Sequence, residues 1–277
     1  MKAIVFATDF SESAFNTAQY ITLLAPRLNV RKIILYHSYE IAPAVSDVPL
    51  DTPKTYEVLR EESHEKLQQL EDKLLNITED VTFERVTNEL PLTLGVNKLA
   101  DQYQHVFIAI GASGKTKWQK VFMGSNAIAM ARDTKYPLLV VPKEASYRIF
   151  NNIVYACDLK EVAKTTPSNI IKSFVKDLNT RLLIVNIDHN ESEHFNPDTI
   201  VDQYKLHELF EDMNTEFHYL DDKDLINGII NFALEHQAGL LIMIARNYHF
   251  FEKLFHRSAS ERMIELTKIP LLLLKEI

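Results

Sequence analysis

His105-Val-Phe-Ile-Ala-Ile-Gly111-Ala-Ser-Gly114-Lys-Thr-Lys-Trp-Gln-Lys-Val-Phe-Met-Gly124-Ser125-Asn126-Ala127 joins an apolar run to a glycine-bearing loop. The apolar run up to Ile110 reads as a buried strand. It enters a loop with two glycines, and a third glycine, followed by Ser125, opens an amphipathic helix. The chain has six glycines, and three of them lie here. Such clustering at a strand-to-helix crossing needs a physical reason. Glycine supplies positive φ and lets a ligand approach bare backbone. The N–H groups at a helix start form a ready phosphate site. Gly111, Gly114, Gly124 and Ser125 are therefore the candidate phosphate contacts, with N–H groups of Asn126 and Ala127 beside them. A tight structural turn followed by an N-cap is the bland alternative, but one turn does not need three spaced glycines.

Gly111-Ala-Ser-Gly-Lys-Thr116 also looks like a phosphate-binding Walker loop. That loop needs a glycine five residues before the one preceding the lysine. Ala109 stands there, inside the strand, and Trp118, Lys120 and Phe122 intervene before Gly124. The pattern does not fit.

At the start of the chain, Lys2–Ala7 reads as a buried strand. Asp9-Phe-Ser-Glu follows as a turn, with Ser11 as N-cap. Ala14, Ala18, Ile21, Leu24 and Ala25 form the apolar stripe of the next helix. A second strand covers Arg31–Ser38. Residues 39–54 carry prolines and aspartates without period and read as a long loop. A charged helix runs from Thr55 to about Asn76, packed through Leu59, Leu67, Leu70 and Leu74. Val81–Val86 is a third strand. Pro91–Asp101 is a short helix with Leu94, Leu99 and Ala100 as expected core contacts. Tyr136–Val141 closes the half. Alternating strands and helices imply right-handed crossovers and a parallel sheet covered on both faces.

The pattern then repeats. Asn152–Asp158 echoes Ala3–Asp9, and Arg181–Asn186 echoes the second strand. Thr215–Leu220 and Gly239–Ile244 take the third and fourth places. Thr267-Lys-Ile-Pro270-Leu-Leu-Leu-Leu274 echoes Thr134-Lys-Tyr-Pro137-Leu-Leu-Val-Val141 almost residue for residue. Two halves are expected, residues 1–143 and 150–277. The second lacks the glycines. Matching Lys253-Leu-Phe to Lys120-Val-Phe puts Arg257 opposite Gly124 and Ser258 opposite Ser125. Arg246, His249, His256 and Arg257 could hold an anion through side chains, although a solvated basic rim explains them as well.

Three segments together resemble the universal stress protein family. They are the spacing Gly, two residues, Gly, nine residues, Gly-Ser; Ala3-Ile-Val-Phe-Ala-Thr-Asp9-Phe-Ser11; and Tyr136-Pro-Leu-Leu-Val-Val141. With the second copy, the resemblance covers nearly the whole chain. It implies two tandem, Rossmann-like, doubly wound α/β domains of the adenine nucleotide alpha hydrolase-like kind, each with strand order 3-2-1-4-5. It implies an ATP-binding stress-response protein that acts as a nucleotide-gated regulator. One site is expected, in the first half, because the loop of the second is degenerate. AMP or a cyclic nucleotide remains open as the ligand, as does accompanying Mg2+. Ligands of parallel sheets sit beyond the carboxyl ends of the strands. Ala7, Thr8 and Asp9, with the backbone of Ser38, are thus placed near adenine and ribose. The halves are expected to pair through their last strands, as chains do in single-domain relatives, and a homodimer is the corresponding state between chains.

Other classes stay in view: an interaction scaffold with a vestigial loop and an unknown protein partner, and a slow ATP hydrolase or phosphotransferase. An ATP-pyrophosphatase-like enzyme would want a Ser-Gly-Gly-x-Asp-Ser type loop, which Thr8-Asp-Phe-Ser-Glu is not. No nucleophile, base and orienting group assemble by motif, so no catalytic residue is assigned. His189 and His194, flanked by Glu191 and Glu193, come nearest to metal spacing, and a polar loop explains them. A net charge of −8 argues against nucleic acid, which wants a basic face. No apolar run approaches a membrane span. The start enters a strand at once, without a signal pattern, so the cytoplasm is the expected compartment. The single cysteine, Cys157, reads as an inert buried thiol.

Overall fold

A computed structural model describes residues 2–39, 56–112, 125–188, 197–245 and 268–276. The chain divides into two compact units, Met1–Thr134 and Lys135–Ile277.

The first unit alternates β1 (Lys2–Ala7), α1 (Glu12–Leu24), β2 (Lys32–Ser38), α2 (Tyr56–Leu75), β3 (Thr82–Asn88), α3 (Leu92–Ala100), β4 (His105–Gly111) and α4 (Ser125–Asp133). Its strands lie in the order β3-β2-β1-β4, every pair parallel. Parallel strands between helices are buried on both faces, so they read as continuous apolar runs. Ile4, Val5, Phe6 and Ile33 to Tyr36 are accordingly all fully buried. Each such Ile, Leu or Phe contributes about 1.5–3 kcal/mol of apolar burial.

Adjacent residues of β2 show how the helices divide. Tyr36 approaches Gly95 of α3, whereas His37 bonds Ser63 of α2. Successive strand side chains point to opposite faces, so α2 and α3 cover opposite sides of the sheet. Ser11 caps α1 as expected, its Oγ accepting from the Ala14 amide at 3.2 Å. One core expectation is corrected. Leu94 is 46% exposed, while Val96, Leu99 and Ala100 are buried. The buried stripe of α3 starts at Gly95, one residue beyond Leu94, and one residue is about a 100° turn of the helix.

The second unit contains β5 (Leu138–Val141), β6 (Asn152–Ala156), α5 (Val162–Thr165), α6 (Ser168–Leu178), β7 (Arg181–Asp188), α7 (Pro197–Leu209), β8 (Thr215–Asp221), α8 (Leu225–Glu235), β9 (Ala238–Ala245) and β10 (Leu271–Lys275). Strands β8-β7-β6-β9-β10 run parallel in the order 3-2-1-4-5. β5, which the sequence assigns to the end of the first half, pairs antiparallel with β10. The register sets Leu138, Leu139 and Val140 opposite Leu273, Leu272 and Leu271. The two proline-led apolar strands therefore meet each other. Cys157, just beyond β6, is buried.

Candidate functional site

In the first unit the strand order reverses at β1, with β2 on one side and β4 on the other. The register places Ala7 beside both Tyr36 and Ile110. Thr8 and Asp9 therefore leave the same edge at which β2 ends in Ser38 and β4 ends in Gly111. Five of the sequence-derived site residues are thus brought to one edge, at the position where parallel sheets hold ligands. Asn126 and Ala127 lie in the first turn of α4, exposed and buried respectively. Ser125 begins that helix. Gly114 and Gly124 lie outside the described residues, as do Lys115, Lys117, His189, His194, Arg246, His249, His256, Arg257 and Ser258.

The turn after β1 is built from short local bonds. The Thr8 amide donates to Tyr36 O at 2.9 Å, which extends the sheet by one residue. Thr8 Oγ1 then accepts from the Phe10 amide at 3.0 Å, and Asp9 Oδ1 accepts from the Ser11 amide at 2.9 Å. Between them Phe10 takes φ 61°. A bulky residue in the left-handed region carries about 1–3 kcal/mol of strain and persists only where its surroundings impose it. The Asp9 carboxylate is half-buried, with one oxygen committed to the turn.

Ser38 Oγ is committed within the fold, donating to Leu90 O at 2.6 Å. Beside it, Tyr36 Oη donates to Asn88 Oδ1 at 2.7 Å, and burial pushes the Tyr36 hydroxyl up to about 12. Tyr36 is therefore a neutral donor across the ordinary pH range. Burial and then the neighbouring Glu89 carboxylate raise Tyr39 as well.

Gly111 has a reason to be glycine that the sequence alone does not show. A Cβ added there would stand 3.1 Å from Thr17 Oγ1 and 3.2 Å from Ser13 Oγ. Its φ lies outside the left-handed range. Bare backbone at Gly111 lets α1 approach the end of β4, and Ser13 and Thr17 are themselves buried.

At the far end of α4, Thr134 Oγ1 donates to Asn97 Oδ1 at 2.8 Å, and Asn97 Nδ2 donates to Asp133 O at 3.2 Å. This ties α4 to α3. Met130 and Ala131 are buried beneath it with Ala127.

Sequence reasoning missed a polar chain behind the edge. His37 Nδ1 and Ser63 Oγ are 2.7 Å apart, and Ser63 Oγ and Thr87 Oγ1 are again 2.7 Å apart. The His37 ring lies 4.5 Å from the Phe10 ring, and Lys66 Nζ sits 5.7 Å from the centre of the same Phe10 ring. The adjacency of His37 to Ser38 was the one signal available for it.

The second unit differs at the matching edge. The short helix α5 is capped from a distance: Asp202 of α7 accepts from the Glu161 amide at 2.8 Å and the Val162 amide at 2.7 Å. Asp158 follows Cys157 there, and Asn186 Nδ2 donates to Cys157 O at 2.8 Å. Among the described residues no group of three His, Cys, Asp or Glu side chains is arranged to hold a metal ion. No helix among them is long and apolar enough to cross a membrane.

The sequence model of the universal stress protein family matches residues 1–142. The chain belongs to the universal stress protein family. Among solved structures it resembles a universal stress protein from Archaeoglobus fulgidus DSM 4304, with a TM-score of 0.74 and 19% identity, over 99% of this chain and 98% of that one. It also resembles a protein of unknown function from Pseudomonas aeruginosa PAO1, with a TM-score of 0.61 and 12% identity, over 99% of this chain and 92% of that one. At such identities the likeness is one of fold. That fold is the adenine nucleotide alpha hydrolase-like arrangement of the universal stress proteins. No curated protein matches the chain by sequence.

Proposed function

We propose that this universal stress protein binds an adenine nucleotide, ATP, at a single site in residues 1–143, and acts as a nucleotide-gated regulator in the stress response. The observation that carries the reading is the gathering of Ala7, Thr8, Asp9, Ser38 and Gly111 at one carboxyl edge, beside the reversal of strand order. The chain then runs from that edge through Gly114 and Gly124 into Ser125, Asn126 and Ala127. Asp9 and the Ser38 backbone serve the nucleoside end. The glycine segment and the start of α4 serve the phosphates, with any Mg2+ held through the phosphates. The residues present fit such a ligand: Asp9, Ser38 and Gly111 are half-exposed around a buried Thr8.

A regulator is favoured over an enzyme on chemical grounds. No nucleophile, base and orienting group assemble by motif around the proposed nucleotide edge, so any hydrolysis is expected to be slow. Residues 150–277 form a second domain of the same family in this reading, without a glycine loop and without a nucleotide. The cytoplasm is the compartment proposed.

A scaffold with a vestigial loop is the second reading, and one observation favours it. Ser13 and Thr17 account for Gly111 without any ligand. Native mass spectrometry of the purified protein, followed by calorimetric titration, separates the two. The nucleotide reading expects one ATP per chain. Two equivalent sites contradict the single-site assignment, and no binding of any adenine nucleotide leaves the scaffold.

A further inference from the structure

The turn that carries Asp9 is held in a disfavoured conformation, and the holding group comes from another strand. Phe10 sits at φ 61° between Thr8 and Ser11. Local bonds from Thr8 Oγ1 and Asp9 Oδ1 restrain its backbone. Such bonds are common to many turns, and they do not by themselves fix where the aromatic ring goes. The ring is fixed by His37, tilted against it at 4.5 Å, and by the Lys66 ammonium 5.7 Å from its centre. His37 is in turn fixed from behind. Its Nδ1 meets Ser63 Oγ at 2.7 Å, and Ser63 Oγ meets Thr87 Oγ1 at 2.7 Å. Ser63 is 2% exposed, so its side of that contact is shielded from water.

We propose that His37 is a positioning residue for the nucleotide edge: anchored by Ser63 and Thr87, it clamps the Phe10 ring and thereby holds Asp9 and Ser11 in place. The role rests on the nucleotide reading for its purpose but not for its geometry. It also explains why three elements converge here. His37 comes from β2, Ser63 from α2 and Thr87 from β3, so the turn after β1 is tied to its neighbours on one side of the sheet. Aromatic pairs of this kind are directional, and a ring also held by the hydrogen bond to Ser63 Oγ has less freedom to rotate. The clamp therefore selects one orientation of the Asp9 turn before any ligand arrives, which is how preorganisation raises affinity.

The test uses the full chain and two readouts. Amide hydrogen exchange is followed at Ser11 and Ala14, whose acceptors are Asp9 Oδ1 and Ser11 Oγ. ATP affinity is measured beside it. In His37→Ala, exchange at Ser11 and Ala14 is expected to rise about tenfold, while Ile34 and Leu35 in the core of β2 stay protected. Affinity should fall by a similar factor. His37→Phe keeps a ring against Phe10 but gives up the bond to Ser63 Oγ, and Ser63→Ala keeps the imidazole but removes the same bond, so both should fall between wild type and His37→Ala. Unchanged exchange at the turn in His37→Ala overturns the proposal. So does a rise that spreads through β2 and α2, which marks a merely structural histidine, and so does failure of His37→Phe to rescue in part. If the turn loosens while affinity holds, His37 does not position the site and the proposal falls. If the wild-type chain binds no nucleotide, the nucleotide reading fails, and the proposal falls with it as a statement about binding; the exchange pattern still decides whether the clamp exists.

Discussion

The hydroxyl of Tyr36 occupies the place where a side chain on Gly95 would begin: a Cβ added there would stand 1.7 Å from Tyr36 Oη and 2.8 Å from Cζ. Tyr36 is fully buried and its Oη donates to Asn88, so it cannot swing aside without breaking that bond. Gly95→Ala sets two effects against each other. Alanine gains about 1 kcal/mol of helix propensity over glycine. Overpacking a buried site costs about 1–3 kcal/mol, and losing the Tyr36–Asn88 bond adds about 1 kcal/mol. A net loss of about 1–3 kcal/mol is expected in urea denaturation. Adding Tyr36→Phe should recover part of it, since Oη goes but Cζ remains close. A Gly95→Ala chain as stable as wild type contradicts the packing account.

The same tyrosine carries a pH signature. Burial raises its hydroxyl from 10.0 to about 12 in the fold. The fold thus favours the protonated form of an acid. Below pH 10 neither state ionises, and the contribution to stability is whole. Between about pH 10 and 12 the unfolded chain loses the proton while the folded chain keeps it, so stability falls as pH rises. Tyr155, raised in the same direction by burial, acts likewise in the second unit. The expected result is a shallower alkaline decline in Tyr36→Phe than in wild type across that window. Parallel curves would show that Tyr36 titrates normally.

In the second unit, Asp202 holds the start of α5. Asp202→Ala leaves the amides of Glu161 and Val162 without their acceptor. Glu161 is exposed and can turn to water, but Val162 is fully buried. An unsatisfied buried donor costs about 1–3 kcal/mol, and that is the destabilisation expected. Asp202→Asn keeps one acceptor oxygen and should lose less. The two variants measured by chemical denaturation should rank in that order, and equal losses would mean that charge rather than the acceptor matters.

Much of the fold is legible in the sequence because buried parallel strands announce themselves. Lys2–Ala7 is read with its bounds, and the Ser11 cap lies where its residue type and the following stripe put it. The errors have a common cause. On α3 the residue deepest against Tyr36 is Gly95, which has no side chain to mark its face, so the phase passes to Leu94. Gly111 was legible as a special glycine but not as a packing one, because Ser13 and Thr17 lie nearly a hundred residues earlier in the chain. Asp202 and Val162, like His37 and Ser63, are partners on different elements, and no local periodicity encodes such pairs.

The pairing of β5 with β10 gives a prediction about separated halves. Leu138, Leu139 and Val140 face β10 in the whole chain. A fragment of residues 1–143 keeps β5 and loses β10. An apolar edge left open tends to find another strand, and a second copy offers the same Pro137-Leu-Leu-Val-Val sequence. The fragment should therefore be a homodimer by light scattering at tens of micromolar, about the range in which a weak interface is populated. A monodisperse monomer there counts against the edge as an association site.

The last prediction copies into the first half the residue that the second half carries. Matching Lys253-Leu-Phe to Lys120-Val-Phe sets Arg257 opposite Gly124. Both residues lie outside the described ones. In Gly124→Arg, a long side chain enters the volume proposed for phosphate, but it brings a favourable charge. A charge-assisted contact contributes about 1.5–3 kcal/mol. Losing several backbone donors at about 1 kcal/mol each, together with steric exclusion, should outweigh it. At least about a tenfold loss of ATP affinity is expected, equivalent to about 1.4 kcal/mol. Stability should hold, because the second half carries arginine at the matching place. Titration beside a thermal melt checks both. Unchanged affinity means that Gly124 is a turn residue only. Weaker binding with an unchanged melt assigns the loss to the phosphate contact, since a chain that still folds has lost only the ligand's place.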